Sequence, residues 1–464
     1  MSGPREGHPH LLDVVRAQKL GEPRGIYSVC SANRFVLEAS MLQARADGGF
    51  VCIESTSNQV NPEGGYTGQT PADFVRAVRN IARAMDFPME RVLLGGDHLG
   101  PFPHQKLPAE VAMAKAREMV RHYVLAGFEK IHLDASMRCA DDPERPLSPR
   151  TATERTADLC AVAEVAQAER PAGSTPPLYV VGTEVPTPGG EQEKPDHLAV
   201  TRPADAQETL DLTRAAFAAR GLESAWERVV GLVVQPGVEF GDAVVFEYDR
   251  PAAAALRDFV ETLDGIVFEA HSTDYQTEAS LRALVLDHFA ILKVGPGLTF
   301  AFREAVFALA AVEREWLGGR KDVALSNIGA VLEEAMLTMP GHWASHYRGD
   351  AQELRFARRF SLSDRIRYYW ALPPVEAALG RLLDNLKRHG EPPRALLSQY
   401  LPAQHAAWRE GRISADPKEL VRHRIMEVTA AYSRACGAGP GRGRPEAPPP
   451  GGAAARGEGA KAEC

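Results

Sequence analysis

Short β-branched or apolar runs recur eight times along the chain, and each ends in a cluster of polar residues before an amphipathic stretch begins. The runs cover 25–33, 50–60, 92–99, 130–137, 178–185, 229–237, 265–273 and 290–294. Several are largely apolar in their first half, as at 131–133, broken only by His132, and at 229–234, which suits parallel strands covered on both faces. Between them, Thr70-Pro71-Ala72-Asp73 reads as a helix start, with a capping hydroxyl, a proline at the first position and an acid in the first turn. Phe74, Val78, Ile81 and Met85 follow at helical spacing. Stretches 108–126 and 204–220 stop at Gly127 and Gly221, where a left-handed C-cap would fall. Further helices are predicted over 151–167, 251–263, 278–287 and 300–316. This alternation predicts an α/β fold, a (β/α)8 TIM barrel over 25–321, with a lead-in helix inside 1–24.

From about Asp322 the alternation is lost. Stretches 324–339, 362–372 and 375–388 read as helices with no strand between them, so 322–436 is expected to be a helical C-terminal extension packed on the barrel. The segment 437–464, dense in Gly, Pro, Ala and Arg, is expected to be a disordered tail, because it lacks the apolar surface to offset ordering entropy. The length, 464 residues, leaves room for these additions to a barrel of ~250 residues. A net charge of −8 offers no electrostatic footprint for nucleic acid. No apolar run reaches the ~18 residues of a membrane span, and the N-terminus shows no secretory h-region. Six cysteines without a CxxC pair suit free thiols in a reduced, cytoplasmic protein.

In such a barrel the C-terminal strand ends converge, so polar residues far apart in sequence can be read as one site. The sharpest segment is LGGDHLGP (94–101): Asp97 can move a proton while His98 binds a metal. FEAHSTD (268–274) brings a second imidazole, His271, with Ser272 beside it. A catalytic metal site commonly takes three protein ligands, and Glu239 and Glu184 are the candidates for the third. Gln235 is a weaker donor for a zinc-like ion and is read as substrate-binding. On the fourth run His132 and Asp134 share a face, with His132 deeper and expected to be structural, and Asp134 free to bind a sugar hydroxyl or relay a proton. Asn33, Ser57 and Asn58 offer short hydrogen-bonding groups for a polyol. Lys293, before Gly295 and a helix start, suits an anionic group. Arg365, in SDRIRYYW (363–370), suits a phosphate or carboxylate. No Gly-x-x-x-x-Gly-Lys-[Ser/Thr] loop for nucleotide phosphates is present.

These segments, with GIYSVCSANRFVLEA (25–39), the polar stretch 54–74, AGFEKIHLDASM (126–137), VVGTEVPTPGG (180–190), VVQPGVEFGD (233–242) and LKVGPGLTFAFREA (292–305), together resemble the GatZ/KbaZ family, a component of bacterial tagatose-bisphosphate aldolase. That family is similar in turn to class II fructose-bisphosphate aldolases, which are metal-dependent (β/α)8 barrels. The resemblance implies Asp97 as the proton-transfer acid, with His98 and His271 as ligands of a divalent, zinc-like ion. Glu239 stands where those aldolases place a further histidine, and Glu184 remains a ligand or base. It also implies a sugar or sugar phosphate as substrate, a catalytic aldolase subunit as partner, and cleavage to triose phosphates. Other relatives resemble metal-dependent ketose or keto-uronate 4-epimerases, which leaves a stand-alone enzyme as the alternative. Homo-oligomerisation is open.

Overall fold

The computed structural model describes residues 6–143, 147–183 and 198–437. Glu184 and the stretch read as a disordered tail from residue 438 onward lie outside them. The strands are β1 Ile26–Cys30, β2 Val51–Thr56, β3 Val92–Leu99, β4 Lys130–Leu133, β5 Leu178–Val181, β6 Val229–Val233, β7 Glu239–Phe240, β8 Val245–Phe246, β9 Val267–Ala270 and β10 Phe289–Val294. Eight of them close into a barrel in the order β1, β10, β9, β6, β5, β4, β3, β2. Every neighbouring pair in it is parallel. The short antiparallel pair β7–β8 is an insertion after β6. The predicted (β/α)8 architecture is therefore the one formed.

Strand alternation stacks the interior in rows. Ile26, Cys52, Leu93, Leu178, Val230, Val267 and Ile291 form an apolar base, plugged from below by Leu11, Val14 and Val15 of the helix Pro9–Lys19. Two residues further along their strands stand Glu54, Glu269 and Lys293, joined by Lys130. Two residues beyond those come Asp97, His132 and His271. Barrel interiors are usually filled by branched aliphatics; here the middle row is ionic.

Glycines make room for this stacking. A Cβ on Gly95 would lie 2.6 Å from Cγ of Glu54. On Gly100 it would lie 1.6 Å from the Asp134 carbonyl oxygen, where β3 leaves the barrel beside β4. The obstacle at Gly100 is backbone and cannot swing aside. We therefore expect Gly100→Ala to lower stability by ~3 kcal/mol or more, beyond ordinary overpacking, with the shift in urea midpoint as the measurement. A loss below 1 kcal/mol would mean that the strands separate more easily than this packing allows.

Beyond the barrel the chain is helical, with Ile328–Thr338, Ala351–Phe360, Pro373–Arg388, Arg394–Tyr400, Pro402–Arg409 and Pro417–Ala435. The last returns to the barrel, packing on helices Arg34–Ala46 and Pro296–Leu317. Tyr432 Oη donates to the Thr273 carbonyl at 2.6 Å. The helix predicted over 362–372 is only a 3-10 turn, Arg365–Tyr369. Asp364 precedes it with φ 45°, and its buried carboxylate accepts from Arg303 Nε at 2.9 Å and Thr299 Oγ1 at 2.7 Å. That anchorage holds a left-handed residue which a continuous helix would not tolerate. Cys30, Cys52, Cys139, Cys160 and Cys436 are free thiols. No helix among the described residues is long and apolar enough to cross a membrane.

Candidate active site

The pocket at the C-terminal ends of the strands is lined by Asp97, His98, His271, Ser272, Asp274 and Lys293, with Asn58, Tyr66, Arg367 and Tyr368 around the mouth. The two DH and HS segments reach it through strained backbone. His98 has φ 50° and Ser272 φ 53°, in the left-handed region that side chains seldom adopt. The β3–β4 register shifts between Gly96 and Leu99, as a bulge would make it, and this re-aims His98 into the barrel mouth.

One donor atom each from Asp97, His98, His132 and His271 lies within 4.8 Å of all the others. The three rings stand edge-on, with centroids 4.9 to 5.2 Å apart. His98 is oriented by Asp134, Nδ1 to Oδ2 2.7 Å, and His271 by Glu269, Nε2 to Oε1 2.9 Å. Each ring therefore has its second nitrogen left for the centre. Carboxylates that fix metal-bound histidines in this way are a general feature of such sites. Burial pushes the His271 pKa down to about 4, so its imidazole stays neutral and able to coordinate. His132 Nδ1 accepts from the His98 amide at 3.2 Å and also faces Asp97 Oδ1 at 3.0 Å, while its Nε2 has no hydrogen-bond partner. One nitrogen cannot accept from the amide and donate to the carboxylate at once. Metal held by Nε2 would put the ring proton on Nδ1 and fix it as a donor to Asp97.

The ionic row lies beneath. Lys130 Nζ is 2.7 Å from Glu54 and 2.6 Å from Glu269, all three fully buried. Lys293 Nζ pairs with Glu54 and lies 2.8 Å from Asp97 Oδ1. Burial alone would raise the carboxylates, but Lys130 and Lys293 outweigh it at Glu54 and Glu269, and His98 with Lys293 does so at Asp97. Asp134 is likewise held at about 2, its burial outweighed by His98. Four buried carboxylates face two ammonium groups, and Asp97 with Asp134 holds the His98 pKa above its ordinary value against the effect of burial, so the cluster falls two charges short only when a metal takes the place of that proton. Uncompensated charge inside a protein is costly, and the deficit matches one divalent ion. The donor set, rich in imidazole, suits a zinc-like metal.

The residues read from sequence distribute unevenly around this centre. Asp97, His98, His271, Asn58, Ser272 and Lys293 line the pocket together. Asp134 lies behind His98, bound to it and to the Ser136 amide, and acts through the ring rather than on a ligand. Glu239 sits in β7, buried, with Oε1 accepting from the Phe240 amide, and is not in the donor group; the third imidazole is His132. Asn33 caps the helix Arg34–Ala46 through the Phe35 and Val36 amides. Gln235 Oε1 accepts from the Gly237 and Val238 amides and holds that turn. Ser57 is buried outside the lining residues, and Arg365 donates to the His342 carbonyl while Arg367 reaches the pocket instead. Short polar residues at strand ends serve turns and caps as readily as ligands, and sequence does not separate the two. Lys130 and Glu269 were missed altogether. For Glu269 the signal was a single charge within the apolar run 266–270, whereas Lys130, directly after Glu129, carried none.

The chain matches, over residues 11–437, the family described as D-tagatose-1,6-bisphosphate aldolase subunit GatZ/KbaZ-like. Among solved structures it is similar to a probable tagatose 6 phosphate kinase from Sinorhizobium meliloti 1021. The identity there is 46% and the TM-score 0.81, covering 89% of this chain and 100% of that one. A fructose-bisphosphate aldolase from Campylobacter jejuni is 13% identical with a TM-score of 0.45, over 83% of this chain and 95% of that one. The YdjI aldolase from Escherichia coli K12 is 13% identical with a TM-score of 0.38, over 82% and 96%. With a family match across nearly all of the described chain, this protein belongs to the GatZ/KbaZ-like family of D-tagatose-1,6-bisphosphate aldolase subunits.

Proposed function

We propose that this chain holds a divalent cation in its own barrel and uses the site to break and re-form a carbon–carbon bond of a ketose. The observation that carries this reading is the convergence of three imidazoles and Asp97 above a buried cluster in which four carboxylates face two ammonium groups. His98, His132 and His271 would hold the ion. When bound, it supplies Lewis-acid polarisation of a ketone oxygen.

The chain's own groups do the rest. Asp97, kept ionised beside Lys293, is placed to take the proton of a substrate hydroxyl as the adjacent carbon–carbon bond opens, and to return it on closure. Asp134 and Glu269 hold the two rings in register and keep their outward nitrogens directed at the centre. Asn58 and Ser272 offer hydrogen bonds to hydroxyls along the substrate. Tyr66 and Tyr368, edge to face at 4.6 Å, join the loop after β2 to the helical extension across the mouth. A mouth closed in this way slows the loss of a cleaved fragment, and that favours a second reading, in which the fragment turns and rejoins so that C4 is epimerised. The family's description supports a catalytic aldolase subunit as an assembly partner, and the buried thiols suit a reducing compartment.

The test uses the lone protein, metal-loaded, with fructose, tagatose, their phosphates and tagaturonate. Expected is partner-free interconversion or triose release that chelation abolishes and added zinc or manganese restores. Activity that emerges only once a catalytic aldolase subunit is added, or that survives chelation, would overturn the proposal.

A further inference from the structure

We propose that Asp274 is a built-in replacement for a substrate phosphate, so that the site selects a ketose whose end over β9 and β10 carries a free hydroxyl and not a phosphate. The inference rests on the pocket binding a ketose, as argued above.

The position concerned is the N-terminus of the 22-residue helix Pro296–Leu317, which opens onto the pocket through Gly295 and Pro296. Converging backbone amides at a helix start make a ready site for an anion such as a phosphate. Here the amides of Gly295 and Gly297 both donate to one oxygen of Asp274, Oδ1, at 2.9 Å and 2.7 Å. Pro296 between them has no N–H to offer. The carboxylate is 2% exposed and lines the pocket, so the chain has filled its own anion position from the end of β9. Gly297 permits the close approach, since a Cβ there would lie 3.1 Å from that same oxygen.

The nearby cations are already engaged. Arg367 directs Nη1 to the carbonyls of Ser363 and Asp364 and Nη2 to the Tyr368 hydroxyl. Lys293 is committed to Glu54 and Asp97. A phosphate entering here would meet a fixed carboxylate in a buried setting, where juxtaposed like charges repel strongly. The remaining polar lining, Thr56, Asn58, Gln59, Tyr66 and Ser272, is made of hydroxyls and amides, which match a neutral polyol.

The experiment compares metal-loaded wild type, Asp274→Ser and Asp274→Asn by calorimetric titration with inorganic phosphate, tagatose, fructose, and the 1-phosphate and 6-phosphate of fructose. Wild type should bind the free ketoses at least about tenfold more tightly than one of the two monophosphates, and should bind inorganic phosphate no better than that disfavoured ligand. Asp274→Ser, which frees the two amides, should gain about tenfold or more for inorganic phosphate and for that monophosphate. Asp274→Asn keeps an acceptor for the amides and serves if the serine variant fails to fold. It should lose the discrimination by removing the charge. Equal or tighter binding of both monophosphates by wild type, or discrimination unchanged in the folded variants, would overturn the inference. Metal content is measured on the same samples. A wild type without metal would defeat the preceding proposal, while the phosphate titration would still decide this one.

Discussion

Lys130→Met is expected to lose about 3–5 kcal/mol of stability, the usual cost of removing one partner from a buried ion pair. Lys130 is fully buried and stands 2.7 Å from Glu54 and 2.6 Å from Glu269. Taking away its charge leaves both carboxylates facing a single ammonium group, that of Lys293. Methionine keeps most of the volume, so the effect reports charge rather than a cavity. The variant that also carries Glu54→Gln and Glu269→Gln should recover a large part of the loss, because replacing a whole buried ionic group by neutral residues is often close to neutral in stability. Urea unfolding of the three proteins, each chelated and each metal-loaded, measures this. A loss below 1 kcal/mol for Lys130→Met, or no recovery in the triple variant, would mean that the row is not held by its charges.

Removing an imidazole from the centre should act on the metal. We expect His98→Ala, His132→Ala and His271→Ala each to weaken zinc binding by more than about 100-fold, since losing even an orienting partner behind a ligand costs 10–100-fold. Asp134→Asn should fall within that smaller range, through its 2.7 Å hydrogen bond to His98. Glu239→Ala should retain the metal, because Glu239 stands outside the donor group. Metal analysis after gel filtration, with competition titration for the affinities, separates these outcomes. Metal retained in His132→Ala and lost in Glu239→Ala would reverse the assignment of the third ligand.

The exchange of Glu239 for His132 shows where sequence reading stops. The run 130–137 places His132 and Asp134 on one face, and depth along the strand then suggests a structural His132. In the barrel that same depth lies level with His271 and Asp97, because β4 is staggered against β3. Strand stagger is a property of the closed barrel and leaves no mark in a single strand. Asp97 with His98, and His271 with Ser272, were legible because each pairs unusual chemistry with the end of an apolar run. Arg365 and Arg367 were not separable, since the intervening turn is 3-10, anchored by Asp364 on Arg303 some 60 residues away.

By itself the sequence determined the alternation of strands and helices, the closure into eight parallel strands that follows from it, and the strand ends at which reactive groups gather. These are consequences of local periodicity, which each segment carries alone. The tertiary structure decided which groups meet: the third imidazole, the lysine–glutamate row under it, and the carboxylate of Asp274 on the amides of Gly295 and Gly297. Those depend on stagger and depth across neighbouring strands, distances that exist only once the barrel has closed.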